Sequence, residues 1–210
     1  MKIGIIGSGH VGGTLGARWA QGGHRVTFSS RNPGSAEMRE LVAKAGANAS
    51  AGTVAEAVAD AEVLLLATPW PATRTAVESA GSLEGKVVID ATNPLLPDLS
   101  GLEVGTSSSG GELVASWAGA GARVVKAFNT IGYGIMADPH FEGGDAVMFY
   151  CGDDAESKRV VHGLAAELGF DAQDAGPLAQ ARLLEPFALL WISLAMKRGM
   201  GMAFRYLRRG

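Results

Sequence analysis

The chain has a single cysteine, Cys151, so no internal disulfide framework can hold it together, which fits a reducing cytoplasm. Positive charge is not in excess: 18 Lys and Arg face 21 Asp and Glu, for a net charge of −3. Without a surplus positive field, nucleic acid is not expected as the main partner. Long apolar runs are scarce. The longest, Phe187 to Met196, has ten residues and one serine, short of a bilayer's thickness. The first residues read as a strand followed by a glycine loop, not as a signal peptide. Internal repeats and domain linkers are lacking, and the 30 glycines fall mostly at turns. These absences predict a soluble globular chain with no membrane partner, long enough at 210 residues to bury a substantial core.

What is present begins at the amino end. The apolar run Ile3–Ile6 ends in Gly7-Ser8-Gly9-His10-Val11-Gly12, which opens into a helical pattern reaching about Gln21. Strand, Gly-x-Gly-x-x-Gly loop and helix in that order form a dinucleotide-binding signature. Gly7 allows the tight turn, Gly9 leaves room for phosphates, and Gly12 lets helix and strand approach. The free N–H groups and the positive end of the helix dipole would then meet the pyrophosphate.

A further absence selects the dinucleotide. An NAD site places an acid at the end of the second strand to bind the ribose 2′-hydroxyl, yet no acidic residue occurs before Glu37. The second strand, Arg25 to Phe28, runs instead into Ser29-Ser30-Arg31-Asn32. Hydroxyl, guanidinium and amide groups suit a 2′-phosphate. Two charge-assisted bonds of roughly 1.5–3 kcal/mol each would favour NADP over NAD by at most a few powers of ten. A plain polar turn before Pro33 is the rival explanation.

The remaining chain alternates helical and strand patterns. Helices are predicted over 35–45, 53–60, 109–118, 153–168 and 179–197, and strands over 47–51, 62–67, 86–90, 123–128, 147–151 and 170–174. The runs at 62–67 and 86–90 read as strands buried on both faces. The expected fold is a Rossmann-type, doubly wound α/β sheet, mostly parallel, with a short carboxy-terminal βαβα extension. Residues 1–135 are the expected dinucleotide-binding core, and 136–210 an extension carrying acceptor-site and dimer contacts, all in one domain. Ligands in such sheets lie beyond the carboxyl ends of the strands. Thr68-Pro69-Trp70 falls at one such end, where Trp70 either shields the dinucleotide or packs in the core. Asp90 closes another strand there, as ligand-edge acid or turn cap. Pro94 to Ser109 is a long Pro-, Gly- and Ser-rich loop, a length usual for functional loops.

No catalytic constellation emerges from the side chains. His10, His24, His140 and His162 lack metal-ligand spacing. Cys151 ends an apolar strand and reads as packing. Lys126 is the only candidate general acid near the ligand edge, although a lysine at a strand end is normally solvated. The last helix is apolar almost all round over 187–196 and needs cover, from the core or from a second copy in a homodimer.

Several separated stretches point to one family. Ser30-Arg31, Thr68-Pro69-Trp70, Ala127-Phe128-Asn129-Thr130-Ile131, Tyr150-Cys151-Gly152-Asp153-Asp154 and Asp174-Ala175-Gly176-Pro177-Leu178, with Glu185 beyond, resemble the NADPH-dependent coenzyme F420 reductase family over nearly the whole chain. Lys126-Ala127-Phe128-Asn129 is also similar to the NADPH-oxidising domain of the STEAP-type metalloreductases. The resemblance implies hydride exchange between NADP(H) and a small-molecule redox acceptor, coenzyme F420 or a flavin-type ring. It implies that Ser8 to Val11 face the pyrophosphate and Ser30 and Arg31 the 2′-phosphate. Trp70 and the stretch from Asn129 to Tyr133 would lie near the nicotinamide and the acceptor. The chain departs from the archaeal members in a shorter glycine loop carrying His10 in place of Asn, and in Asn129 in place of a histidine. Two other functions compete. One is an NADP-dependent dehydrogenase or imine reductase of the β-hydroxyacid type, which would need a large helical domain; the other is an NADP-binding sensor.

Overall fold

The computed structural model describes residues 1–209. Eight strands form one sheet in the order β3-β2-β1-β4-β5-β6-β7-β8. The first half comprises β1 (Lys2–Ile6), α1 (His10–Gln21), β2 (Arg25–Ser29), α2 (Ala36–Ala45), β3 (Ala49–Gly52) and α3 (Val54–Ala59). The second continues with β4 (Val63–Leu66), α4 (Trp70–Ser79), β5 (Val87–Asp90), α5 (Gly110–Ala118) and β6 (Arg123–Lys126). Strands β1 to β6 pair in parallel, and the order 3-2-1-4-5-6 is that of a dinucleotide-binding sheet. The order reverses at β1, which neighbours both β2 and β4.

The strand sequences explain their places. Val63-Leu64-Leu65-Leu66 and Val87-Val88-Ile89-Asp90 are buried at every position, because helices cover both faces of a parallel sheet. On one face Ile3, Ile5, Trp19, Phe28 and Phe128 form the core; on the other Ile6, Leu64, Leu66, Trp70 and Val114 do. Small residues set the layer spacing. A Cβ at Gly16 of α1 would stand 2.4 Å from the Phe28 ring, so the glycine lets helix and strand close.

The extension is α6 (Tyr133–Ala137), β7 (Val147–Gly152), α7 (Ala155–Glu167), β8 (Asp171–Asp174), a 3₁₀ turn (Leu178–Gln180) and α8 (Ala181–Arg198). Its strands join the same sheet. β7 runs antiparallel to β6, with Lys126 opposite Cys151, and β8 is parallel to β7.

Several local expectations need correction. Strand β6 stops at Lys126 rather than Phe128, because Phe128 turns into the left-handed region (φ 61°) and its N–H meets Met148 Sδ. Helix α6 lies where only a loop is expected; its five residues are too few to show a periodic signal. The N-cap of α7 is Asp154, which accepts from the Ser157 N–H at 2.8 Å, whereas Asp153 accepts from the Leu178 N–H and ties the 3₁₀ turn to β7. The last helical stretch spans Leu178–Arg198 and is long and apolar enough, by length and composition alone, to cross a membrane. The apolar run inside it is shorter because Glu185 and Pro186 interrupt the stretch; Glu185, Ala188, Trp191 and Ala195 form its buried face.

Candidate functional site

The glycine loop has the geometry its spacing demands. Gly7 sits at φ 98°, and a Cβ there would stand 2.6 Å from the Ala67 carbonyl. A Cβ at Gly12 would stand 2.0 Å from the Gly7 carbonyl oxygen, so residue 12 must be glycine for α1 to start this close to β1. A Cβ at Gly9 would meet nothing within 4 Å. The space beside Gly9 is therefore open on the outer side of the loop, where a phosphate can approach.

The N-terminus of α1 is prepared for an anion. Ser35, Thr53, Ser109 and Asp154 cap α2, α3, α5 and α7 with their side chains. Among the described residues α1, like α4, α6 and α8, has no side-chain cap, and its first turn holds no acid. The leading N–H groups and the positive dipole end remain available at His10 and Val11. Ser8 Oγ donates to the Ser29 carbonyl at 2.8 Å, fixing the loop against the end of β2. A groove of about 730 Å³ runs from Ser8, Gly9 and His10 between α1 and α2.

The end of β2 presents the polar set expected for a 2′-phosphate. Ser30 Oγ accepts from the Asn32 N–H at 3.0 Å, forming a tight turn. Arg31 and Asn32 project into solvent, and Arg31 forms no ion pair or hydrogen bond among the described residues. Its five guanidinium donors are thus free for a ligand. The first acid after this turn, Glu37, belongs to α2.

Beyond β4 the picture changes. Thr68 Oγ1 lies 3.0 Å from Thr73 Oγ1, and Pro69 precedes the first turn of α4 with its ring exposed. Trp70 is only 8% exposed and packs against Trp117 with ring centroids 5.4 Å apart. Of the two readings of Trp70, core packing is what this geometry supports: Trp117 of α5 lies against the ring and Gly110, at the start of α5, borders it.

The segment after β6 meets the glycine loop directly. His10 stacks on Tyr133, ring centroids 4.5 Å apart and planes 15° apart, both rings being solvent-exposed. The stack spans from the start of α1 to the start of α6, on the same strand-end edge as Gly9. Asn129 is buried and its amide donates to Asn93 Oδ1 (3.0 Å) and to the Leu184 carbonyl (3.2 Å).

Beneath this edge lies a cluster that pattern reading does not reveal. Lys126 is fully buried and donates to Asp90 Oδ2 (2.9 Å), Glu185 Oε1 (2.8 Å) and the Thr92 carbonyl (2.7 Å). The expectation of a solvated lysine or a free general acid is therefore corrected: all three ammonium protons are engaged. Burial pulls its pKa down, but Asp90 and Glu185 outweigh burial and hold it above the ordinary lysine value. Glu185 also accepts from the N–H groups of Gly110 and Gly111, so a carboxylate from α8 neutralises the N-terminus of α5. Nothing in the local sequence around Glu185 marks it; its partners are distant in the chain. Cys151 is buried with its thiol pushed up to about 12 by desolvation, so it packs rather than reacts.

A parallel sheet of this order, with an uncapped α1 and a basic, acid-free β2 end, defines a dinucleotide-dependent enzyme class. The family model "NADP oxidoreductase coenzyme F420-dependent" matches residues 2–94. A solved structure of a candidate F420-dependent NADP reductase from Arthrobacter sp. FB24 is similar at 31% identity, with a TM-score of 0.90, over 99% of this chain and 100% of that one. Metalloreductase STEAP3 of Rattus norvegicus is 33% identical over 90% of this chain, which spans only 36% of that protein. F420-dependent NADP reductase of Methanocaldococcus jannaschii is 28% identical over 94% of this chain and 93% of its own length. The chain belongs to the F420-dependent NADP oxidoreductase family and is an NADP-dependent oxidoreductase that binds NADP(H).

Proposed function

We propose that this oxidoreductase passes a hydride between NADP(H) and a flavin-type ring, with the deazaflavin coenzyme F420 as the acceptor. In that reaction the nicotinamide C4 hydride goes to C5 of the deazaflavin, a solvent proton completes the reduced ring, and NADPH becomes NADP⁺. The chain's part is to bind, orient and exclude. Gly9, His10 and Val11 offer N–H groups to the pyrophosphate, with Gly7 and Gly12 shaping the turn. Ser30, Arg31 and Asn32 take the 2′-phosphate. Thr68 and Pro69 border the middle of the dinucleotide, and Asn129 and Tyr133 the nicotinamide half. The observation that carries the cofactor half of the reading is the open approach beside Gly9 paired with the solvent-exposed Arg31 on the same ligand edge.

Hydride transfer needs alignment and approach to roughly 3–3.5 Å more than it needs a protein acid. That requirement fits a site whose buried lysine has no proton to spare. Length-wide similarity to an F420-dependent NADP reductase supports the deazaflavin over other acceptors. Exposed Leu183, Leu190 and Met196 on the outer side of α8 support a homodimer formed through that helix.

The test is a panel of acceptors offered to the purified protein with NADPH: F420, FMN, FAD, ferric chelate, keto acids and imines. Oxidation with F420 alone is expected. Turnover with free flavins only would make it a flavin reductase, and turnover with imines or keto acids would favour the β-hydroxyacid type. Binding of NADPH without turnover on any acceptor would leave a sensor.

A further inference from the structure

A closed ring of hydrogen bonds holds the edge at which β5 and β6 end. Lys126 binds Asp90, Glu185 and the Thr92 carbonyl. The Thr92 N–H and hydroxyl both return to Asp90 Oδ1, at 2.9 and 2.7 Å, so Thr92 is pinned from three sides. The next residue, Asn93, exchanges two bonds with Asn129: its Nδ2 donates to the Asn129 carbonyl (2.8 Å) and its Oδ1 accepts from Asn129 Nδ2 (3.0 Å). Asn129 Nδ2 also donates to the carbonyl of Leu184, adjacent to Glu185, and the ring closes.

Both protons of the Asn129 amide are therefore used, which fixes which end is nitrogen and which is oxygen. One valence stays open. Asn129 Oδ1 is buried with no hydrogen-bond partner, the single buried side-chain polar atom in that condition among the described residues. Such an orphan is costly and calls for an explanation. A second unusual feature adjoins it: Phe128, a bulky residue, holds a left-handed φ of 61°. Strain of this kind persists where surrounding structure enforces it, and it gathers at ligand sites.

The strand order says which part of a dinucleotide comes here. Ser30 and Arg31 follow β2, so the adenosine half with its 2′-phosphate lies on the β2 side of β1. The other half must extend across β1 toward β4, β5 and β6. We propose that the Asp90–Lys126–Glu185 ring is a positioning device that orients Asn129 so that its Oδ1 accepts an N–H of the nicotinamide carboxamide. The inference rests on the NADP(H) reading above. Oδ1 is closed to solvent in the chain alone, so the carboxamide reaches it by displacing its cover. Glu185 and Lys126 touch no ligand; they act through Thr92, Asn93 and Leu184.

The test is a binding comparison on the intact protein with two dinucleotides. NADPH carries the carboxamide, and its 3-acetylpyridine analogue has a methyl group in place of the N–H₂. The wild type is expected to bind NADPH about tenfold more tightly than the analogue, one hydrogen bond's worth. In Asn129→Leu that preference disappears. In Glu185→Gln it shrinks, while affinity for 2′-phospho-ADP-ribose, which has no nicotinamide, stays at the wild-type value. A purely structural Glu185 would lower the melting temperature and leave the preference unchanged, which would overturn the positioning role. Equal wild-type affinity for the two dinucleotides would overturn the inference with no variant needed, and points to an internal water at Oδ1. Failure of the wild type to bind NADPH at all would overturn the cofactor reading and this inference together.

Discussion

Lys126 and Glu185 meet at 2.8 Å with both side chains out of reach of solvent, joining β6 to α8 beneath the ligand edge. The pair is not free-standing. Asp90 supplies a second carboxylate, and the Gly110 and Gly111 N–H groups share the Glu185 charge. Removing the cation alone leaves two buried carboxylates facing each other. Lys126→Met is expected to lose about 3–5 kcal/mol of stability, read from urea unfolding, whereas removing all three charges as Asp90→Asn, Lys126→Met and Glu185→Gln should lose less. Equal losses would show that charge balance is not what the cluster provides.

The same lysine sets an alkaline limit. Its folded pKa is raised above the ordinary lysine value of 10.5, so its contribution is complete below that pH and is lost as pH rises through the folded value. Glu112 works in the opposite direction. Arg182 above all, with Ser109, holds its carboxyl below the ordinary glutamate value of 4.5, against the opposing effect of burial. That contribution is present above pH 4.5 and is lost as pH falls through the lowered value. Melting temperature followed against pH should fall at both ends. Lys126→Met should flatten the alkaline fall and Glu112→Gln the acid one.

Gly9 and Gly12 separate folding from binding. A Cβ at residue 9 meets no atom, while one at residue 12 would stand 2.0 Å from the Gly7 oxygen. Gly9→Ala should therefore melt within a few degrees of wild type yet bind NADPH much more weakly, because the methyl occupies the phosphate approach. Gly12→Ala should lose stability first. Calorimetry with NADPH on both variants decides it, and wild-type affinity in Gly9→Ala would remove the pyrophosphate from this loop.

Arg31 reads the phosphate if its loss is selective. Arg31→Asp should cut affinity for NADPH by a few powers of ten, the scale of charge-assisted bonds, while affinity for NADH changes little. Parallel losses for both dinucleotides would mean that Arg31 serves the turn instead.

The first half of the fold was readable because its signals are local. Val63–Leu66 and Val87–Asp90 announce buried parallel strands by composition, Ser35 and Ser109 announce helices as capping residues, and Gly7, Gly9 and Gly12 announce the loop by spacing. The proposed cofactor half of the site rests on the same kind of signal, since Ser8, Ser30 and Arg31 follow directly from the first two strands. What escaped is long-range. Lys126 looks like any strand-end lysine until Glu185 arrives from α8, and Trp70 reads equally as ligand shield or core residue until Trp117 packs on it. His10 and Tyr133 are each candidate site residues by sequence, but only the fold stacks one on the other. The five-residue α6 and the left-handed Phe128 are too short and too conformational to leave a pattern.

A direct hydride passage from nicotinamide to a deazaflavin would be recorded in a carbon–hydrogen bond that does not exchange with water. NADPH carrying deuterium at C4 on the transferred face should be mixed with the protein and F420 in ordinary water, and the reduced deazaflavin weighed by mass spectrometry. One deuterium retained in the product is the result expected here. Reduced deazaflavin without label, or none formed while NADPH binds tightly, would contradict it.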